Sequence, residues 1–174
     1  MPRTSTPTSK RADEVDDLVE AWRRERPDLD VSPLEVLSRV SRLARRLDLA
    51  RRAAFADVEL DLWEFDVLAA LRRSGEPYAM SPGQLTASML VTSGTMTNRI
   101  DRLEQRGLVA RQPDLTDRRG VRVILTDEGR HRVDAALTDL LDRERILLGS
   151  LTAPAREQLA TLLRRIAREL DSTS

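Results

Sequence analysis

Cysteine is absent from this chain of 174 residues. Disulfides, thiol redox chemistry and zinc sites built on cysteine are therefore excluded. Histidine occurs once, as His131, in the polar helix start "TDEGRHRVD". One histidine and no cysteine leave little for acid–base or nucleophilic catalysis. No Gly-x-Ser-x-Gly, metal-ligand spacing or phosphate-cradling glycine-rich loop takes their place. An enzyme is not expected, and neither a cofactor nor a metal is called for. A surplus of one charge is missing too: 29 basic residues face 29 acidic ones, so a general polycation is ruled out. No apolar run approaches the roughly 20 residues needed to cross a bilayer. The opening "MPRTSTPTSKRADE" has no apolar stretch behind its basic residues, unlike a secretion signal. A soluble, cytoplasmic protein without a membrane partner is expected.

Lysine is the last scarcity, and it turns into a presence. Lys10 is the only lysine among the basic residues, and the rest are arginines. Arginine offers a planar fork suited to phosphates, carboxylates and base edges. Any basic surface must then come from local arrangement. Between Thr95 and Leu125 there are seven arginines and four acids, so this stretch is positive within a neutral chain.

The length suits one sizeable core and is short for two. Residues 1–10 are rich in Ser, Thr and Pro and are expected to form a disordered tail. Val15, Leu18, Val19 and Trp22 recur at helical spacing up to Pro27. Ser32-Pro33-Leu34-Glu35 has the form of a capping box opening a helix to about Ala54, with Leu37, Val40, Ala44 and Leu47 on its stripe. A third helix near 60–73 ends at Ser74-Gly75, and Ser81-Pro82 caps a short one reaching about Met89. Thr92-Ser93 starts "TSGTMTNRIDRLEQR", which Gly107 ends. "LVARQ" and "VRVIL" read as two strands joined by a polar turn. Thr126 caps a long helix with Val133, Leu137, Leu140, Leu141 and Leu147 on one stripe. A last helix follows Thr152 and carries Leu159, Leu162, Leu163, Ile166 and Leu170. These stripes exceed what one small core needs, and the excess points to a helical homodimer.

A short helix, a tight turn, a second helix and a two-stranded ribbon form a winged helix-turn-helix. The expected fold is mainly α with one β-hairpin wing, a DNA-binding domain joined to a helical dimerisation region. At about 100° per residue, Met96, Ile100 and Leu103 face the core while Gly94, Asn98, Arg102 and Gln105 point away. Ser93, Thr95, Thr97 and Asp101 lie at the margins. That outward face is short, polar and able to hydrogen-bond, as a major-groove reader requires. At the ribbon tip Arg118 and Arg119 can reach phosphates or a narrow minor groove, with Val121, Val123 and Leu125 holding one face on the domain.

The run "TMTNRIDRLEQRGLVARQPDLTDRRGVRVILTDEG" resembles the MarR family of dimeric bacterial transcription regulators, through Asp117, Arg119, Leu125, Thr126 and Gly129. The resemblance in helix order covers nearly the whole chain. It implies that Asp117 orients Arg119, that Arg119 enters the minor groove, and that the first and last helices form the dimer. The organisation it suggests is a tail over 1–10, an extra helix and a dimerisation helix over 11–57, the DNA-binding domain over 58–127, and C-terminal dimerisation helices over 128–174.

Arg99 borders the core face of its helix, and Asp66 lies between Phe65 and Val67 on a mostly apolar one, where a carboxylate needs a partner. Together Trp22, Asp66, Arg99 and Arg111 resemble the ligand set of the urate-responsive branch of this family, which also has an extra N-terminal helix. Singly, each has a plainer role: Trp22 as a core anchor, Asp66 as a paired surface acid, Arg99 reaching past the core to a phosphate, Arg111 as a solvated strand residue. The resemblance implies a regulator, acting as a repressor, that leaves a pseudo-palindromic operator in double-stranded DNA when urate or a related purine binds. A polycarboxylate such as citrate or aconitate would suit two arginine forks equally. A helical protein-interaction module without DNA binding is the remaining alternative.

Overall fold

The computed structural model describes residues 13–114 and 120–173. The tail over 1–10 and the wing residues Asp117, Arg118 and Arg119 lie outside the described residues. Seven α-helices and three short strands make up the described chain: α1 (Glu14–Glu25), α2 (Ser32–Ala56), α3 (Leu62–Arg73), β1 (Ala79–Met80), α4 (Pro82–Met89), α5 (Ser93–Gln105), β2 (Val109–Pro113), β3 (Val121–Leu125), α6 (Asp127–Leu147) and α7 (Ala153–Thr173). Contacts divide the chain into two compact units, residues 1–50 and 51–174, the division falling inside α2. No helix of the described residues is long and apolar enough to cross a membrane.

In the first unit, Asp13 caps α1, its carboxylate accepting from the N–H groups of Val15 and Asp16. Val15, Val19 and Val31 form a small buried cluster with Leu34 packed against it. Around it runs a charged lacing. Arg39 donates to Asp13 and Asp16, and Arg42 pairs with Glu14. The Arg39 guanidinium is the main cause that holds the Asp13 carboxyl down at about 2. The capping box expected at Ser32 is not formed. Ser32 is itself the first helical residue, its hydroxyl donates to Asp30 at 3.1 Å, and Glu35 pairs with Arg23 at 2.5 Å. An aspartate two residues earlier competes for the hydroxyl, and Glu35 finds a cation.

The second unit holds the main core, where Phe55 stacks on Phe65 with ring centroids 4.2 Å apart. Leu68, Leu71, Leu85, Met96, Ile100, Leu103, Leu108 and Val123 are buried around that pair. The sheet has order β1-β3-β2, all antiparallel, with Val109 opposite Leu125 and Pro113 opposite Val121. The expected hairpin is therefore a three-stranded sheet. Its extra strand, of two residues, follows Tyr78 at φ +57°, a backbone setting no periodicity reveals. This strand gives the ribbon a second ladder, which two strands alone lack.

One expected stripe is corrected and another divides between core and surface. Val123 and Leu125 face the core as expected, but Val121 is exposed because the ribbon has already left the domain there. On α6, Val133, Ala136 and Leu140 are buried, whereas Leu137, Leu141 and Leu147 are exposed. The leucine row splits because α6 puts one stripe on α3 and turns the neighbouring one outward.

Candidate nucleic-acid interface

α4 starts on a capping box: the Ser81 hydroxyl accepts from Gln84 N–H, and the Gln84 side chain accepts from Ser81 N–H. Pro82 supplies the preset φ of the first helical residue. The turn to α5 passes through Leu90 at φ +52°, a left-handed setting, with the leucine 95% exposed. Thr92 then caps α5, its hydroxyl oxygen accepting from Thr95 N–H at 3.3 Å.

From that cap α5 presents the predicted face. Met96, Ile100 and Leu103 are buried, while Ser93, Gly94, Thr95, Thr97, Asn98 and Arg102 are exposed. Two hydroxyls are already oriented: Thr97 donates to the Ser93 carbonyl at 3.0 Å, and Thr95 shares a hydrogen bond with Thr92 at 2.9 Å. Each keeps lone pairs for an outside donor.

The two flanks of α5 are held by different groups. At about 100° per residue, Arg99, Arg102 and Arg106 share one flank and Asp101 and Glu104 the other. On the first flank the indole of Trp63 lies under two arginines, Arg102 at 4.9 Å and Arg99 at 5.6 Å from the ring centroid. One turn on, Arg106 donates to the Glu64 carboxylate at 2.5 Å and to the Glu59 carbonyl at 2.6 Å. On the second flank Arg111 of β2 pairs with both Asp101 and Glu104, and its backbone N–H donates to Glu104 at 3.1 Å. Hydrogen bonding to Asp101 is the largest cause that holds Arg111 more firmly protonated than an ordinary guanidinium.

The proposed ligand residues distribute as follows. Arg99 is half-buried above Trp63, and Arg111 is committed to two carboxylates on the opposite flank, so the two forks do not converge. Asp66 is only partly covered and makes no hydrogen bond to Arg99 among the described residues. Its link is electrostatic: partial burial pushes its carboxyl above the usual range, and the charges of Arg51, Arg99 and Arg73 oppose that. Trp22 belongs to the first unit, on α1, and is 46% exposed.

The buried acid of α3 is Glu64, at 1% exposed, rather than Asp66. It closes the first turn by accepting from Asp61 N–H at 2.9 Å and also takes Arg106. Its signal was present in the sequence, since Asp61-Leu62-Trp63-Glu64 has the capping-box spacing and Arg99, Arg102 and Arg106 stand at helical intervals.

The family model described as MarR family matches residues 59–120. The HTH-type transcriptional regulator PecS of Dickeya dadantii is 41% identical over 157 residues, covering 90% of this chain and 95% of that protein. The HTH-type transcriptional repressor NicR of Pseudomonas putida is 32% identical over 142 residues, covering 79% of this chain and 88% of that protein. Among solved structures, a mutant MarR of E. coli complexed with operator DNA aligns at TM-score 0.65 and 26% identity over 79% of this chain and 99% of that one. AbsC of Streptomyces coelicolor, a MarR family transcriptional regulator, shares the fold at TM-score 0.71 and 20% identity, over 83% of this chain and 98% of that one.

Proposed function

Because the chain belongs to the MarR family of DNA-binding transcription regulators, we propose that it is a homodimeric repressor released from a pseudo-palindromic operator by a small anion, urate or a related purine. Ser93, Thr95, Thr97, Asn98 and Arg102 read the major groove. Arg118 and Arg119 take the adjoining backbone and minor groove, with Asp117 orienting Arg119. Two copies joined through their exposed helical leucines set half-sites about one helical turn apart. Leu159, Leu162 and Leu163 of α7 and Leu137 and Leu141 of α6 supply that apolar surface.

The observation that carries ligand response is the double holding of α5. Arg111 grips one flank through Asp101 and Glu104, while Glu64 grips the other through Arg106. An anion that takes the Arg111 fork frees the second flank. The helix then rolls about its Glu64 anchor, and Asn98 and Arg102 lose their register on the bases. On the first flank Arg99 and the electrostatically linked Asp66 offer a cation and an acceptor to the same class of ligand. A delocalised purine anion suits planar guanidinium forks. A polycarboxylate is the second reading, favoured by the fact that Arg111 already binds two carboxylates.

The test uses a duplex selected by the protein from a random-sequence pool. Urate, xanthine, citrate and aconitate are titrated into the complex, with thermal shift of the free protein measured in parallel. Release by the purines together with stabilisation of the free fold supports the first reading. Release only by the tricarboxylates supports the second, and release by none sinks both. Duplex affinity should also fall steeply with salt.

A further inference from the structure

We propose that Trp63 is a positioning residue for operator recognition: its indole face aims Arg102 of α5 at the DNA while leaving every guanidinium N–H of Arg102 unspent. The inference rests on the reading of α5 as the groove-facing helix, and it goes beyond that reading by assigning the residue that orients its one charged reader.

Arginines around α5 fall into two kinds. Arg106, Arg111 and Arg122 are tied to protein acceptors in their guanidinium plane, Arg106 to Glu64 and Glu59, Arg111 to Asp101 and Glu104, and Arg122 to the Ala79 carbonyl at 2.8 Å. Arg102 makes no ion pair among the described residues, and neither does Arg99; both lie over Trp63 instead. The difference is chemical. A carboxylate fixes a guanidinium by consuming its in-plane N–H groups. An aromatic ring fixes it from the face and leaves those N–H groups directed outward. A side chain meant for a guanine edge or a phosphate needs the second kind of restraint, because only in-plane donors make the bidentate contact.

The platform is itself held. Trp63 Nε1 donates to Asp61 at 3.2 Å, which sets the ring against the first turn of α3, and the adjoining Glu64 anchors Arg106. Trp63, Gly94, Thr95, Asn98, Arg99 and Arg102 line one shallow hollow, so the ring borders the groove-facing surface. Orienting Arg102 before DNA arrives reduces the rotamer freedom lost on binding.

The experiment is a double-mutant cycle on the full chain. Trp63→Leu and Trp63→Phe are each made with Arg102 intact and with Arg102→Ala. Affinity for a fluorescein-labelled duplex selected by the wild-type protein is read by anisotropy. With Arg102 present, Trp63→Leu weakens binding by about three- to tenfold. Trp63→Phe weakens it less, since a π face remains. With Arg102→Ala neither change costs anything further. Equal losses in both backgrounds, or no loss with Arg102 present, overturn the inference. Should Trp63→Leu fail to fold, Trp63→Phe alone decides by the same comparison. An Arg102→Ala protein that binds like wild type overturns the reading of α5 itself, and the inference with it. A weakened Arg102→Ala protein with additive Trp63 losses overturns only the inference.

Discussion

A Cβ placed on Gly129 would lie 2.1 Å from the carbonyl oxygen of Leu108 and 2.9 Å from a methyl of Leu125. The start of α6 is pressed onto the turn between α5 and β2 here. Thr126 completes the joint: its N–H donates to the Leu108 carbonyl at 3.2 Å and its hydroxyl donates to the Gly107 carbonyl at 2.7 Å. The obstacle is backbone and cannot rotate aside. Gly129→Ala is therefore expected to lower stability by about 3 kcal/mol, through overpacking. The denaturant midpoint measures it; a midpoint equal to wild type would show that the joint tolerates a side chain.

Removing either half of the Glu64–Arg106 pair should have unequal consequences. Arg106→Ala strands a carboxylate that is almost wholly buried, at an expected cost of about 3 kcal/mol or more. Glu64→Gln leaves a neutral group that still accepts from Asp61 N–H and a partly exposed arginine that water can serve, at about 1–2 kcal/mol. The double variant should be more stable than Arg106→Ala alone. Equal thermal midpoints for the two single variants would contradict this.

Asp66 carries a pH signature. Its folded-state carboxyl titrates above the usual range because burial disfavours the charge more than Arg51, Arg99 and Arg73 restore it. The folded chain thus binds this proton more tightly than the unfolded chain, so ionising Asp66 reduces stability as pH rises through the interval between the two values. Asp66→Asn should be more stable than wild type at neutral pH, with the gain vanishing below the ordinary aspartate range. Melting curves of both proteins across that range decide the matter; a gain that grows on acidification would reverse the sign.

Arg111→Gln removes the grip on Asp101 and Glu104 together. If ligand binding acts through that grip, an anion that weakens wild-type operator binding by about 5–150-fold should move the variant by less than about twofold. Operator titrations with and without anion read the difference. A full response in Arg111→Gln would place the switch elsewhere.

Two reader substitutions separate recognition from grip. Asn98→Ala should cost about 1–3 kcal/mol on the selected duplex and little on unrelated ones. Arg119→Ala should weaken all duplexes by a similar factor and flatten the salt dependence. Affinities on one selected and one unrelated duplex check both.

Periodicity and caps carried most of the fold. The stripe Met96, Ile100 and Leu103 is buried as the helical wheel requires, and the caps at Ser81, Thr92 and Thr126 stand where the sequence places them. What a linear pattern does not encode is which of several available carboxylates a side chain meets. Arg111 was legible as a fork but not as a clamp on Asp101 and Glu104, because that pairing depends on strand β2 running beside α5. Asp66 stands out in the sequence as an acid among apolar neighbours, whereas Glu64, two residues earlier, is the one turned inward. β1 has no sequence signature, because two residues offer no alternation.

α7 runs through 21 residues, and none of its described side chains is buried. Such a rod gains little packing among the described residues to offset the entropy of being ordered, and its exposed leucines call for a cover. If a second copy supplies that cover, as proposed above, assembly and completion of the fold become a single event. Dilution would unravel the C-terminus before it disturbed the DNA-reading core, and the cellular supply of subunits would set how much regulator exists in working form.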